Sequence, residues 1–123
     1  MKRRRNSGRL AEFIARMWLR LHGWRIIGQR VRTPVGELDI IARRGRQIAF
    51  VEVKQRRTLE EATQALLPQQ RRRIGRAARC WLAQHPHLAQ LDASCDLIAV
   101  SRRGLLRHYR NAFPAEQGAE STC

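Results

Sequence analysis

Two strand-like stretches, Glu37–Arg44 and Gln47–Lys54, are separated only by Gly45-Arg46, and this spacing constrains the fold more than any other feature of the chain. A glycine in the first position of a two-residue loop supplies the positive φ of a type II′ turn, whose twist matches that of antiparallel strands. The loop sets a register. Arg44 faces Gln47, so Arg43 faces Ile48, Ile41 faces Phe50, Asp39 faces Glu52 and Glu37 faces Lys54. Alternation puts the last eight of these residues on one face of the hairpin. The other face carries Leu38, Ile40, Ala42, Ala49, Val51 and Val53, is apolar throughout, and requires a covering helix.

Helices are available on both sides of the hairpin in sequence. After a basic arm, residues 1–7, with Ser7 as N-cap, Leu10, Phe13, Ile14, Met17, Trp18 and Leu21 recur at three- and four-residue steps, which predicts a helix over Gly8–Leu21 with that stripe in the core. A membrane-surface or transit-peptide reading of this helix is weaker, because the chain runs directly into strand-like sequence. Trp24–Val31 reads as a strand closed by the turn Thr33–Gly36. Pro68 suits the first turn of a second helix that ends by His85-Pro86, with Ile74, Ala77, Ala78, Trp81 and Leu82 inside and Arg72, Arg76 and Arg79 outside. Cys95–Val100 reads as a buried strand, and Arg103-Gly104 turns it into a last segment, Leu105–Arg110. The expectation is one α/β domain over residues 8–113, followed by a flexible tail over 114–123, with Trp18, Trp24 and Trp81 in the core rather than stacking on bases.

The charge balance points to a polyanionic partner. Of 123 residues, 25 are Lys or Arg and 10 are Asp or Glu, a formal charge of +15 that exceeds what solubility requires. All the cations but Lys2 and Lys54 are arginine, so the one interior lysine stands out. The longest apolar runs are far short of the roughly 20 residues of a membrane helix, and no signal-peptide core follows the basic start. Three cysteines, Cys80, Cys95 and Cys123, form no CxxC clip, and Cys80, His85, His87 and Cys95 fit no usual zinc spacing. A cytoplasmic protein with no membrane association is expected.

The carboxylates on the hairpin carry the chemistry. Asp39 and Glu52 directly across a strand pair lie about 5 Å apart, where like charges repel. Lys54 points the same way as Glu52, and a divalent cation can bridge the two acids with the Val53 carbonyl as a further ligand. Mg²⁺ is the expected ion, with Mn²⁺ able to substitute, since Mg²⁺ keeps several waters and needs only one or two protein carboxylates. Such a cation polarises a phosphoryl oxygen and acidifies bound water, while an ammonium stabilises developing charge. The alternative is an ordinary solvated hairpin face with Lys54 paired to Glu37. Against it stand the scarcity of acids in this chain, the apolar Ile48 and Phe50 on the same face, and the placement of the lone interior lysine.

Asp39, twelve intervening residues and then Glu52-Val53-Lys54 match the PD-(D/E)xK nuclease motif. More broadly, Gly8 with Glu12, Gly36-Glu37-Leu38-Asp39-Ile40-Ile41, Phe50-Val51-Glu52-Val53-Lys54 with Arg56, Asp96, and Asn111-Ala112-Phe113 resemble the YraN family of bacterial proteins, related to archaeal Holliday-junction resolvases. The match runs from about Gly8 to Phe113. The resemblance implies a restriction-endonuclease-like α/β core, a mixed β-sheet flanked by helices, with Glu12, Asp39, Glu52 and Lys54 as active-site residues and Asp39, Glu52 and Val53 around the metal. Glu12, opposite the predicted core stripe on the helical wheel, is the auxiliary ligand of this set. The chain departs from the family pattern with Arg30 where relatives often have Asn and Gln70 where they often have Lys. In some related nucleases a Gln at the start of this helix holds a phosphate or the attacking water.

The expected function is a Mg²⁺-dependent endonuclease acting on nucleic acid, DNA ahead of RNA, in branched or structured forms. Gln70 and Arg56 would contact substrate, and Arg43, Arg72, Arg76 and Arg79 would track phosphates. A homodimer would suit a two-strand cut. The rival expectation is a non-catalytic DNA- or RNA-binding module with the same fold.

Overall fold

A computed structural model describes residues 2–113, with side chains from Gly8 onward; Met1 and residues 114–123, the expected tail, lie outside the described residues. The elements in order are α1 (Lys2–Leu21), β1 (Arg25–Arg32), β2 (Glu37–Arg44), β3 (Gln47–Arg56), α2 (Leu59–Thr63), α3 (Pro68–Ala83), a 3₁₀ turn (Pro86–Leu88), β4 (Asp92–Ser101) and β5 (Leu106–Phe113). The strands form one sheet in the order β1-β2-β3-β4-β5, parallel between β3 and β4 and antiparallel elsewhere. The α/β class and the mixed sheet flanked by helices agree with the restriction-endonuclease-like core implied by the sequence. Among the described residues no helix is long and apolar enough to cross a membrane.

The hairpin forms in the register its loop dictates, from Arg44↔Gln47 to Ile40↔Val51. Gly45 takes φ +62° while Arg46 does not turn positive, as a type II′ turn requires. Both faces of the hairpin are buried. Ile40, Ala42, Ala49 and Val51 pack with Ala11, Ala15 and Leu19 of α1, and Ile41, Ile48 and Phe50 pack with Leu66 and with Ile74, Ala77, Ala78 and Trp81 of α3. That sandwich explains the near-continuous apolar runs in β3 and β4, which are central strands covered on both sides. The β1–β2 turn abuts α3: a Cβ added at Gly36 would lie 3.1 Å from Arg73 Cδ, so this glycine permits the close approach.

Three expectations are corrected. The helix α1 begins at Lys2, not at Gly8, so residues 2–7, read as an arm, continue it; arginine is a good helix former and Ser7 does not interrupt the run. The face that α1 buries is also rotated from the expected stripe, of which only Ile14 and Trp18 pack against the core, partly buried. Leu10, Phe13, Met17 and Leu21 are 58%, 50%, 40% and 79% exposed, whereas Ala11, Ala15, Leu19 and Glu12 are buried. Small residues let the helix backbone lie close on the flat β2–β3 surface, a preference for shape that hydrophobic periodicity does not register. Finally, Leu38 belongs to the α3-side cluster, not with Ile40 on the α1 side. Arg30, between the β1 partners of Leu38 and Ile40, has φ +48°, and this kink breaks the alternation of both strands.

Candidate active site

The break in alternation falls on Asp39 and shapes the site. The last Cα pairing of the hairpin is Ile40↔Val51. Beyond it, Asp39 turns its carboxylate into the gap, where Oδ2 accepts a 2.9 Å hydrogen bond from the Val53 backbone N–H. The Asp39 and Glu52 carboxyls stand close enough for each to act on the other's ionisation. Lys54 Nζ lies 3.5 Å from Glu52 Oε2, with the two side chains only 17% and 13% exposed. Lys54 therefore serves Glu52, not Glu37, and the solvated-face alternative does not describe this hairpin.

Desolvation dominates the electrostatics. Burial pushes the Asp39 carboxyl up to about 6; the Val53 N–H opposes this and the Glu12 charge adds to it. Glu52 is held well above the ordinary carboxylate range by burial and then by Asp39, with Lys54 pulling the other way. Two largely desolvated acids side by side resist ionising together, so the first proton is taken up more readily than an isolated carboxylate would take it. A divalent cation would relieve that repulsion. The donor set fits one: two hard carboxylates with a single ammonium beside them satisfy the oxygen preference of Mg²⁺. Among the described residues no three His, Cys, Asp or Glu side chains converge as a closed metal cage, so the cation would rest on Asp39 and Glu52.

The other predicted residues fall into two groups. Glu12 is buried and close enough to act on Asp39, but its Oε1 accepts a 2.8 Å hydrogen bond from Arg30 Nε. Arg30 was not foreseen as a site residue. Its backbone is left-handed, at φ +48°, a conformation that Asn tolerates better than other side chains do. Gln70 sits in the first turn of α3 with its Oε1 accepting from the Leu67 N–H at 3.0 Å; its amide NH₂ is left for other partners. Arg56 ends β3, exposed, with Nη1 on the Gln55 carbonyl. Arg72 and Arg76 project from α3 into solvent and Arg79 is half-buried. Arg43 lies at the far end of β2 from Asp39, its Nε bonded to the Gly45 carbonyl.

Asp96 forms a second polar centre. It is fully buried on β4 and accepts from Ser94 Oγ (2.8 Å), His108 Nε2 (2.9 Å), Arg110 Nε (2.9 Å) and the Asn111 N–H (2.9 Å). Trp18 Nε1 reaches His108 Nδ1 at 3.4 Å, so the imidazole donates to Asp96 through Nε2. Burial alone would raise the Asp96 pKa, yet His108, the Asn111 N–H and Ser94 hold it below the ordinary range. Three β5 residues bulge opposite this one carboxylate, between Cys95↔Phe113 and Leu97↔Tyr109, with Asn111 at φ +53°. The role is architectural: Asp96 fastens edge strand β5 and helix α1 to the sheet. Its presence in the middle of an apolar run was the available sequence signal.

The chain matches the family model described as "Uncharacterised protein family UPF0102" over residues 11–100. A UPF0102 protein of Parvibaculum lavamentivorans is 44% identical over 106 residues, covering 86% of this chain and 80% of the relative. One from Bradyrhizobium diazoefficiens is 46% identical over 109 residues, 89% of this chain and 82% of the relative. One from Methylorubrum extorquens is 45% identical over 117 residues, 94% and 91% respectively. The matched span contains both carboxylates, Lys54 and Asp96, and on this similarity the chain belongs to the UPF0102, or YraN-like, family.

Proposed function

We propose that this protein is a Mg²⁺-dependent endonuclease acting on structured nucleic acid, DNA ahead of RNA. The observation that carries the reading is the desolvated Asp39–Glu52 pair with Lys54 Nζ 3.5 Å from Glu52 on a chain of formal charge +15. Asp39 and Glu52 would hold the cation, assisted by the Val53 carbonyl, and when bound it supplies a Lewis acid and water of lowered pKa. Lys54 orients the attacking water and offsets the negative charge that builds on the phosphate oxygens. Arg56 and the free NH₂ of Gln70 steady the substrate, while Arg72, Arg76, Arg79 and Arg43 neutralise flanking phosphates. A homodimer would present two such centres to the two strands of a branched substrate.

A second reading, a non-catalytic binding module, has a specific observation in its favour: Glu12 is tied to Arg30 and the Gln70 oxygen is spent on capping α3. A cleavage panel of duplex, flap, junction and RNA substrates with Mg²⁺ and with Mn²⁺ separates the two. Hydrolysis that requires the cation and disappears in Asp39→Asn supports the nuclease. Salt-sensitive binding to the same substrates with every one left intact supports the module.

A further inference from the structure

A groove of about 570 Å³ lies at the β5 edge of the sheet, outside the carboxylate site, lined by Thr63, Leu66, Arg71, Leu97, Tyr109 and Phe113 among others. Its floor is apolar, since Leu66, Leu97 and Phe113 are core residues. Its wall is the Tyr109 ring, fixed by a 3.0 Å hydrogen bond between the phenol and Thr63 Oγ1. Its rim is cationic. Arg71 is anchored by Nε on the Leu66 carbonyl at 3.2 Å, which leaves its terminal nitrogens for an anion, and Arg110 also lines the groove. No acid is among the lining residues; Asp96 spends its oxygens on His108, Arg110, Ser94 and Asn111.

An apolar-floored groove beside a held aromatic ring, with arginine among its lining residues, matches a ligand that is planar at one end and anionic at the other. We propose that this groove binds a nucleotide, the base packed against Tyr109 over Leu66 and Leu97 and the phosphate on Arg71. A base within a duplex cannot enter, so a strand must offer an unpaired nucleotide. Leu97 is the strand neighbour both of Glu52 on β3 and of Tyr109 on β5. At strand spacings of about 4.8 Å, the base would lie roughly 10 Å from the carboxylate pair, one to two nucleotides along a strand. Binding in the groove stands independently of the hydrolytic reading; only this last spacing rests on it.

The fluorescence of 2-aminopurine, which falls on stacking, tests the groove in EDTA, where hydrolysis plays no part. Three probes are titrated: the free 2-aminopurine deoxynucleoside monophosphate, a single-stranded oligonucleotide carrying one 2-aminopurine, and the same oligonucleotide in duplex. The proposal expects quenching with the single strand and little with the duplex. Quenching by the free monophosphate as well would identify a mononucleotide site, and its absence there a site for a strand. Tyr109→Ala should weaken the quenched complex about 5- to 100-fold, while Tyr109→Phe, which keeps the ring, should retain it. Ala112→Trp, at an exposed position lining the groove, should block it by filling the slot, and it decides the matter alone if Tyr109→Ala does not fold. Absence of quenching with both the monophosphate and the single strand, or parental quenching and affinity in folded Ala112→Trp, overturns the proposal. Either result leaves Mg²⁺-dependent cleavage to be judged on its own.

Discussion

Replacing Asp39 by Asn removes one of two largely desolvated carboxylates with almost no change in shape, and the consequence for stability can be worked out from the site. Burial lifts the Asp39 carboxyl from 3.8 to about 6 in the folded protein, a difference equivalent to about 3 kcal/mol. Because the folded value is the higher one, this stability is present at low pH and disappears as pH rises from about 4 through about 6. Glu52, raised by burial and then by Asp39, extends the loss to higher pH. The substituted amide has no charge to bury and can still accept from the Val53 N–H. In urea titrations with EDTA, the parent should therefore lose at least about 3 kcal/mol between about pH 3.5 and pH 8, and the variant distinctly less. Mg²⁺ at about 100 times its Kd should return about 2.7 kcal/mol to the parent at pH 8 and little to the variant. Cleavage should vanish in the variant, while metal-free affinity for nucleic acid stays equal or rises, since one repelling charge is gone. A variant that loses stability with pH as steeply as the parent, or cleaves at the parent rate in Mg²⁺, would refute the desolvated pair as the reactive centre.

Lys54→Ala should lower turnover by about 10²- to 10³-fold while Mg²⁺ still stabilises the protein, and Lys54→Arg should keep part of the activity if the role is electrostatic; complete loss in Lys54→Arg would assign a proton-transfer role that arginine cannot take. Neutralising Arg72, Arg76 and Arg79 together should reduce the slope of log affinity against log salt by about 2 to 3, measured by fluorescence anisotropy; an unchanged slope would remove this helix face from the interface. Asp96→Asn should destabilise by about 3–5 kcal/mol in urea, because an amide cannot accept from His108, Arg110, Ser94 and Asn111 at once. The parent should also lose stability as pH falls below the ordinary carboxylate range and through the folded pKa, since the folded Asp96 pKa is the lower one.

What the sequence determined was local or periodic. The hairpin register followed from a two-residue loop with glycine first, and the inner face of α3 followed from Ile74, Ala77, Ala78 and Trp81 at helical spacing. The register already directs Asp39, Glu52 and Lys54 toward one end of the hairpin, although the Cα pairing itself stops at Ile40↔Val51, one step short of Asp39 and Glu52. Tertiary structure decided whatever depended on the shape of a distant partner. Periodicity chose Leu10, Phe13, Met17 and Leu21 for the inner face of α1, but the flat β2–β3 surface selected the small-residue face of Ala11 and Ala15. The kink at Arg30 moved Leu38 to the other side of the sheet and tied Glu12 to a guanidinium 18 residues away. Asp39 and Glu52 were legible as neighbours, but their raised pKa values were not. Those arise because α1 on one face and the α2–α3 segment on the other limit access of water, and desolvation is a property of the assembled fold rather than of any segment of sequence.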